Sequence, residues 1–322
     1  MDTLVDTRTQ LDDDNSFRLS DHDKSQLTDA LRETCAEPFD IRSTRYGQIF
    51  ASSMIPVDAI QHALWTSGRP YFVLRNLPHD LLAPDWQIGE TPIASRVLLG
   101  VLGCLGLHPF GYRQEKKGAI LHDMYPIPGA EETFSNAGRV PFVLHTENPY
   151  LPRVARPTVL LLLALNNDSD TATQLVCAED LVPKLSDQHD EALRQPIFSF
   201  RQSQSFELNG YYVHATKTPV LRKFNGGDEF RWSITTSTTD PVGQQAIVEF
   251  PKIAQREAMD IVLKPGELLI FNNWRCLHGR GAVEGKRWIK RVYGTDDDSL
   301  IGKDGLIDVW GALANPDVDH SF

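Results

Sequence analysis

Phe142-Val-Leu-His145-Thr-Glu147-Asn-Pro149 is the stretch on which the reading of this chain turns. Side chains alternate along a strand, so His145 and Glu147, two residues apart, emerge on one face and can share a cation. Pro149 has no N–H to donate, which ends the pairing and opens the strand into a loop. A second His-x-acid triplet, His189-Asp-Glu191, lies in a helical pattern. There, residues two apart diverge by about 200°, and the triplet reads as a solvated helix face.

Toward the C-terminus, Pro265-Gly266 reads as a turn and 267–271 as a strand, followed by Asn-Asn-Trp-Arg-Cys-Leu-His278-Gly-Arg280. His278 supplies the distant second imidazole of a two-histidine, one-carboxylate set, which suits Fe(II) with positions left open. Further on, Arg287-Trp-Ile-Lys-Arg291-Val-Tyr293 is a strand with Arg287 and Arg291 on one face and Ile289 between them. Two inward guanidinium groups are costly unless they meet anions, and a fork suits the distal carboxylate of a dicarboxylate such as 2-oxoglutarate. The bland alternative is a pair of arginines on a solvated face.

Upstream, apolar periodicity predicts helices over 21–36, 57–67 (with Gly68 at C′) and 93–105. Beyond about residue 110, short β-rich runs alternate with Gly, Pro, Asn and Asp. They predict strands at 139–145, 157–165, 197–201, 230–236, 267–271 and 287–293, with short helices at 177–185 and 186–195. Helices followed by many strands imply a mainly β fold, a sandwich or barrel with helices packed outside. Residues 1–20, rich in aspartate, are expected to form a flexible lead.

Net charge is −11, which disfavours a nucleic-acid partner because phosphate binding needs a basic footprint. The acidic start lacks the basic and apolar regions of a signal peptide, and the longest apolar run, 97–107, is too short for a membrane span. Cys35, Cys104, Cys177 and Cys276 are scattered and expected to be reduced thiols, so a cytoplasmic setting is predicted.

Taken together, His145-Thr-Glu147-x-Pro-Tyr150, Asn272-x5-His278-Gly-Arg280 and the Arg287–Arg291 strand resemble the clavaminate synthase-like Fe(II)/2-oxoglutarate oxygenases. That family includes asparagine and arginine β-hydroxylases of peptide-antibiotic pathways, and the resemblance runs from about Gly118 to Tyr293. It implies a double-stranded β-helix, or jelly-roll, core over about 111–300. A helical part would span 21–110, the whole forming one oxygenase domain over 21–322. His145, Glu147 and His278 would hold Fe(II), Arg287 would take the 5-carboxylate of 2-oxoglutarate, and Arg291 the substrate carboxylate. Thr173 falls where a threonine contacts the cosubstrate. Oxidative decarboxylation of 2-oxoglutarate with O₂ would supply the oxidant that hydroxylates a small molecule. Because Glu147 keeps its carboxylate, halogenation, which needs a small residue there, is disfavoured.

Several residues depart from the family pattern. His122 replaces the glutamine that helps to hold the substrate's amino-acid end. The strand that carries acids in arginine hydroxylases here reads Ser233-Ile-Thr235-Thr-Ser237, with Asp228 and Glu229 just before it. The interval from His278 to Arg287 is also shorter than usual, which leaves the two arginine roles exchangeable. Met124, Tyr150 and Trp232, with His122, Ser233 and Thr235 as polar handles, are expected to line a pocket for a neutral substrate: an amino acid, or a blocked or cyclic dipeptide. Desaturation, cyclisation or epoxidation by the same cofactors is the neighbouring alternative. A non-catalytic cupin-like binding module is the alternative from another class. Substrate identity and oligomeric state are not encoded in these motifs.

Overall fold

The computed structural model describes residues 15–83, 85–133, 135–202, 206, 213–319 and 322. Its frame is Val159–Asn167, a strand with the sequence VLLLLALNN. A strand with one wet face alternates polar and apolar residues; this one is apolar from Val159 to Leu165 because both of its faces are covered. Leu160, Leu162 and Ala164 enter one core, and Leu161, Leu163 and Leu165 another.

Among the described residues this strand belongs to an eight-stranded sheet. The order is Ser16–Arg18, Tyr71–Arg75, Leu268–Asn272, Val159–Asn167, Arg287–Thr295, His108–Tyr112 and Leu306–Ile307, with Leu121–Met124 also paired to Arg287–Thr295. Helices Asp21–Thr34, Thr44–Ala51, Val57–Trp65 and Pro92–Cys104 cover one face through Leu31, Phe50, Leu64 and Leu98. On the other side, a four-stranded sheet runs Met259–Ile261, Thr173–Cys177, Cys276–Arg280, Phe142–His145. Leu144, Leu175 and Leu277 of the smaller sheet share a core with Leu160, Leu162 and Ile289 of the larger one. That inter-sheet space holds the site. None of the described helices is long and apolar enough to cross a membrane.

Helix starts follow the sequence: Ser20, Ser43 and Ser186 each accept a backbone N–H of the first turn. Other expectations are corrected. The lead is already paired by residue 16, since Ser16–Arg18 lies parallel to Tyr71–Arg75 and Leu19 is buried; residues 1–14 lie outside the described residues. The β core also begins before residue 111, because Ser16–Arg18, Tyr71–Arg75 and His108–Tyr112 all join the large sheet. The helix Val57–Trp65 is capped by Thr66, with Gly68 beyond it. Cys177 closes a strand, and the helix Ala178–Leu181 follows it.

The expected strand at 230–236 does not form; its ladder stops at Phe230. Beyond it, the Thr236 hydroxyl accepts from Ser233 N–H and donates to Ser233 O, and Thr235 N–H donates to Ser233 Oγ. Local hydroxyl-to-backbone bonds of this kind compete with a ladder and turn the chain. Among the described residues three helices were unexpected: Thr44–Ala51, Val309–Ala314 and Pro241–Glu257, the last capped by Asp240 and carrying Pro251 inside.

Thr44–Ala51 meets Pro92–Cys104 backbone to backbone at two glycines. A Cβ on Gly47 would lie 2.9 Å from the carbonyl carbon of Gly103, and one on Gly103 would lie 2.8 Å from Cα of Gly47. Alanine normally strengthens a helix interior by up to about 1 kcal/mol over glycine. Here backbone cannot step aside, so Gly47→Ala and Gly103→Ala should each destabilise by about 1–3 kcal/mol, read as a lower midpoint in thermal or urea unfolding.

Candidate metal centre and oxygenase site

The centre begins with register. His145 and His278 are cross-strand partners in the small sheet, with ring centroids 4.3 Å apart. Directly after His278 the pairing is bulged, and Gly279 passes so close that a Cβ would lie 2.6 Å from Phe142 O. This explains the glycine of His-Gly-Arg: the neighbouring strand leaves no room for a side chain. Glu147 lies just past the strand end, not within the strand, where Asn148 takes a left-handed φ of 53°. Asparagine tolerates that conformation.

Asn273, fully buried in the bend before Cys276–Arg280, brackets Glu147. Its Oδ1 accepts from Glu147 N–H at 2.7 Å, while its Nδ2 donates to Glu147 O and Pro157 O. One ligand atom from each of His145, Glu147 and His278 lies within 4.8 Å of the others, and His278 Nε2 is 3.6 Å from Glu147 Oε2. His145 Nδ1–H donates to Val143 O at 2.9 Å, leaving Nε2 free for a metal. Burial, then neighbouring His278, pushes the His145 pKa down to about 4, so the ring stays neutral as a ligand must. Burial alone would raise the Glu147 carboxyl. Arg291 and the neighbouring His278 outweigh it and hold the group well below the usual carboxylate range. Two imidazoles and one carboxylate on one side of a cavity fit Fe(II), with coordination positions left for other ligands.

Behind this set is a buried polar network. Arg291 Nη1 donates to Glu147 Oε2 at 2.9 Å, and Tyr293 O–H donates to Glu147 Oε1 at 3.0 Å. Glu115, only 1% exposed, is 3.6 Å from Arg291 and 3.3 Å from the Tyr293 hydroxyl. Burial raises its pKa to about 7, against the pull of Arg291. His122 pairs with Arg291 and with Ala119 O, so both ring nitrogens have protein partners.

A cavity opens beside His278, lined also by Met124, Thr173, Arg280, Arg287 and Arg291. Arg287 is buried, donates to Thr173 Oγ1 at 3.4 Å, and has no carboxylate partner among the described residues. Burial, with Arg280 adding repulsion, pushes its pKa down to about 9. A desolvated guanidinium without a counter-ion, next to a metal set, is a receptor for an anion. Arg280 is spent otherwise: it donates to the carbonyls of Ser135, Gly138, Val140 and Gly281.

The cavity thus gathers His278, Arg287, Arg291, Thr173 and Met124 from the sequence-derived set. It does not gather Tyr150, which is buried on Phe206, nor Trp232, which packs on Phe250 at 4.6 Å. Ser233 and Thr235 bond to each other, and Thr235 to Arg201 O, away from the cavity lining. Sequence reading overlooked Glu115, Asn273, Tyr293 and Asn136, the last of which also lines the cavity. Asn273 carried a signal, a polar pair directly after an apolar strand; Glu115 carried none, sitting in an Arg-Gln-Glu-Lys-Lys run that reads as surface.

A two-histidine, one-carboxylate set between two sheets, with an unpaired arginine on the adjoining strand, defines an iron(II)- and 2-oxoglutarate-dependent oxygenase. Comparison with known proteins agrees. Residues 73–293 match the model of the taurine catabolism dioxygenase TauD, TfdA family, and the chain belongs to that family. It is 31% identical to L-asparagine oxygenase of Streptomyces coelicolor, over 69% of each chain. To clavaminate synthase 2 of Streptomyces clavuligerus it is 25% identical, over 69% of this chain and 73% of the other. Among solved structures, asparagine oxygenase with Fe(II), 2S,3S-3-hydroxyasparagine and succinate superposes with a TM-score of 0.79 at 23% identity, covering 91% of this chain and 98% of that one. The non-heme iron oxygenase OrfP with Fe and alpha-ketoglutaric acid gives 0.74 at 21%, covering 91% and 99%.

With only three protein ligands, loss of one should sharply weaken metal binding. His278→Ala should therefore retain far less than one Fe(II) per chain after anaerobic loading and desalting, while His189→Ala retains the native amount. Metal analysis of the two proteins checks this.

Proposed function

We propose that this enzyme hydroxylates an unactivated C–H bond of a small, neutral amino acid or blocked dipeptide, in a natural-product pathway. The observation that carries the substrate class is the fate of the two acids that could have held a basic side chain. Asp228 is paired with Arg194 at 2.7 Å and Lys223 at 2.6 Å; Glu229 is paired with Arg153 at 2.8 Å and Arg222 at 3.0 Å. Each is committed to one cation of its own hairpin and one from outside it, and neither lines the cavity beside His278. Relatives named for lysine and for ornithine/arginine hydroxylation match this chain at 26% and 24% identity, below the asparagine oxygenase.

In this reading the two sheets are the double-stranded β-helix of a jelly roll, within one oxygenase domain. His145, Glu147 and His278 hold Fe(II), which, with 2-oxoglutarate and O₂, supplies the oxidising equivalent. Arg287 and Thr173 take the distal carboxylate of 2-oxoglutarate. Arg291 has donated one N–H to Glu147 and one to His122, and its remaining donors face a substrate carboxylate or carbonyl. Met124 supplies apolar wall. A reducing, cytoplasmic setting suits the four free thiols.

The test is succinate formation by the Fe(II)-loaded enzyme with a panel of asparagine, other neutral amino acids, N-acylated amino acids and cyclic dipeptides, set against arginine, lysine and ornithine. Coupled turnover should be confined to neutral members. Strong turnover of a basic amino acid would refute the substrate class while leaving the cofactor assignment intact.

A further inference from the structure

His122 sits where the family resemblance puts a residue of the substrate subsite, yet its surroundings point elsewhere. The ring is 2% exposed. Nε2–H donates to Ala119 O at 2.9 Å, which leaves Nδ1 as an unprotonated acceptor, and Arg291 Nη2 donates to it at 2.7 Å. Tyr293 closes one side, edge to face, with ring centroids 5.2 Å apart. Strand pairing builds the contact: His122 on Leu121–Met124 is the Cα partner of Arg291 on Arg287–Thr295. No ring nitrogen is left to meet a ligand.

We infer that His122 is a positioning residue for the metal set, acting through Arg291 on the carboxylate of Glu147. A guanidinium is a planar fork with its donors in fixed relation, so a bond at one Nη restricts where the other can point. With Nη2 on His122, Nη1 lies 2.9 Å from Glu147 Oε2, the oxygen that faces His278 Nε2. Tyr293 O–H holds Oε1 from its own side, so the carboxylate is oriented by two donors from a single strand. The chain of contacts therefore runs from Ala119 O through His122 and Arg291 to Glu147. Ala119 follows Gly118, whose φ of 78° closes the turn that presents the carbonyl. Ligand carboxylates depend on such partners, whose loss typically costs 10–100-fold in metal affinity or activity. The inference concerns this protein's own side chains and does not depend on which molecule is hydroxylated.

The experiment compares His122→Asn with His122→Leu. The two side chains have nearly the same shape and leave the same gap, but asparagine can place an acceptor close to the Nδ1 position and leucine cannot. Metal-free full-length protein is titrated anaerobically with Co(II), reading its visible d–d band and dissociation constant, below the thermal midpoint of the weaker variant. His122→Leu should bind Co(II) roughly tenfold to a hundredfold more weakly, with an altered band; His122→Asn should keep most of the native affinity and the native band. In an Arg291→Gln background, His122→Leu should add little further loss, because the histidine acts only through the guanidinium. Equal Co(II) binding by the Asn and Leu variants, whatever their thermal midpoints, would overturn the inference. So would tighter binding by the Leu variant, which would make Arg291 a competitor of the metal, or full additivity with Arg291→Gln.

Discussion

The site depends first on one register. His145 and His278 stand opposite each other across an antiparallel pair, and side chains along a strand change face at every residue. A slip of one position would turn one imidazole out of the inter-sheet space and destroy the metal set. The structure fixes this register from both sides. Cys276–Arg280 is sandwiched between Phe142–His145 and Thr173–Cys177, and Gly279 allows the bulge that lets the strands approach. Asn273 then fastens Glu147, which lies outside the ladder and has no register of its own.

Charge is the second constraint. Two buried arginines enter the site from one strand, and they are treated oppositely. Arg291 is compensated by Glu147 and Glu115, so it orders the metal ligands. Arg287 has, among the described residues, a hydroxyl and a repelling Arg280 beside it and no carboxylate, which suits the anion-binding role proposed for it. An uncompensated buried cation costs several kcal/mol, and a cosubstrate carboxylate returns that cost on binding. The same reasoning supports the proposed neutral substrate: acids already bound to arginine and lysine, as Asp228 and Glu229 are, are not free to select a cationic side chain.

Much of this was legible in the sequence, for physical reasons. Arg287 and Arg291 keep the two-residue period of their strand, and the His-x-Glu spacing singled out Glu147 even though it lies just past the end of the strand that carries His145. The three helices with clear apolar periodicity also appear within a residue or two of their expected ends. What was not legible depends on partners far along the chain. Tyr71–Arg75 is a short apolar run whose strand character comes from Leu268–Asn272 beside it. Pro241–Glu257 contains a proline that argues locally against a helix. Ser233 and Thr235 look like strand residues until their hydroxyls are seen to bond their own turn. Glu115 meets residues far along the chain: Phe206 bridges to it, and Arg291 and Tyr293 lie beside it.

The central claim is that the three-ligand set and the uncompensated Arg287 together make a receptor for iron and 2-oxoglutarate. Anaerobic titration of Fe(II)-loaded protein with 2-oxoglutarate, following the weak visible charge-transfer band of a chelated 2-oxo acid, tests it most directly. The native protein should develop the band and saturate. Arg287→Ala should need roughly tenfold to a hundredfold more 2-oxoglutarate, as expected for loss of a charge-assisted bond contributing about 1.5–3 kcal/mol. A native protein that shows no band, or an Arg287→Ala protein that saturates at the native concentration, would contradict the account.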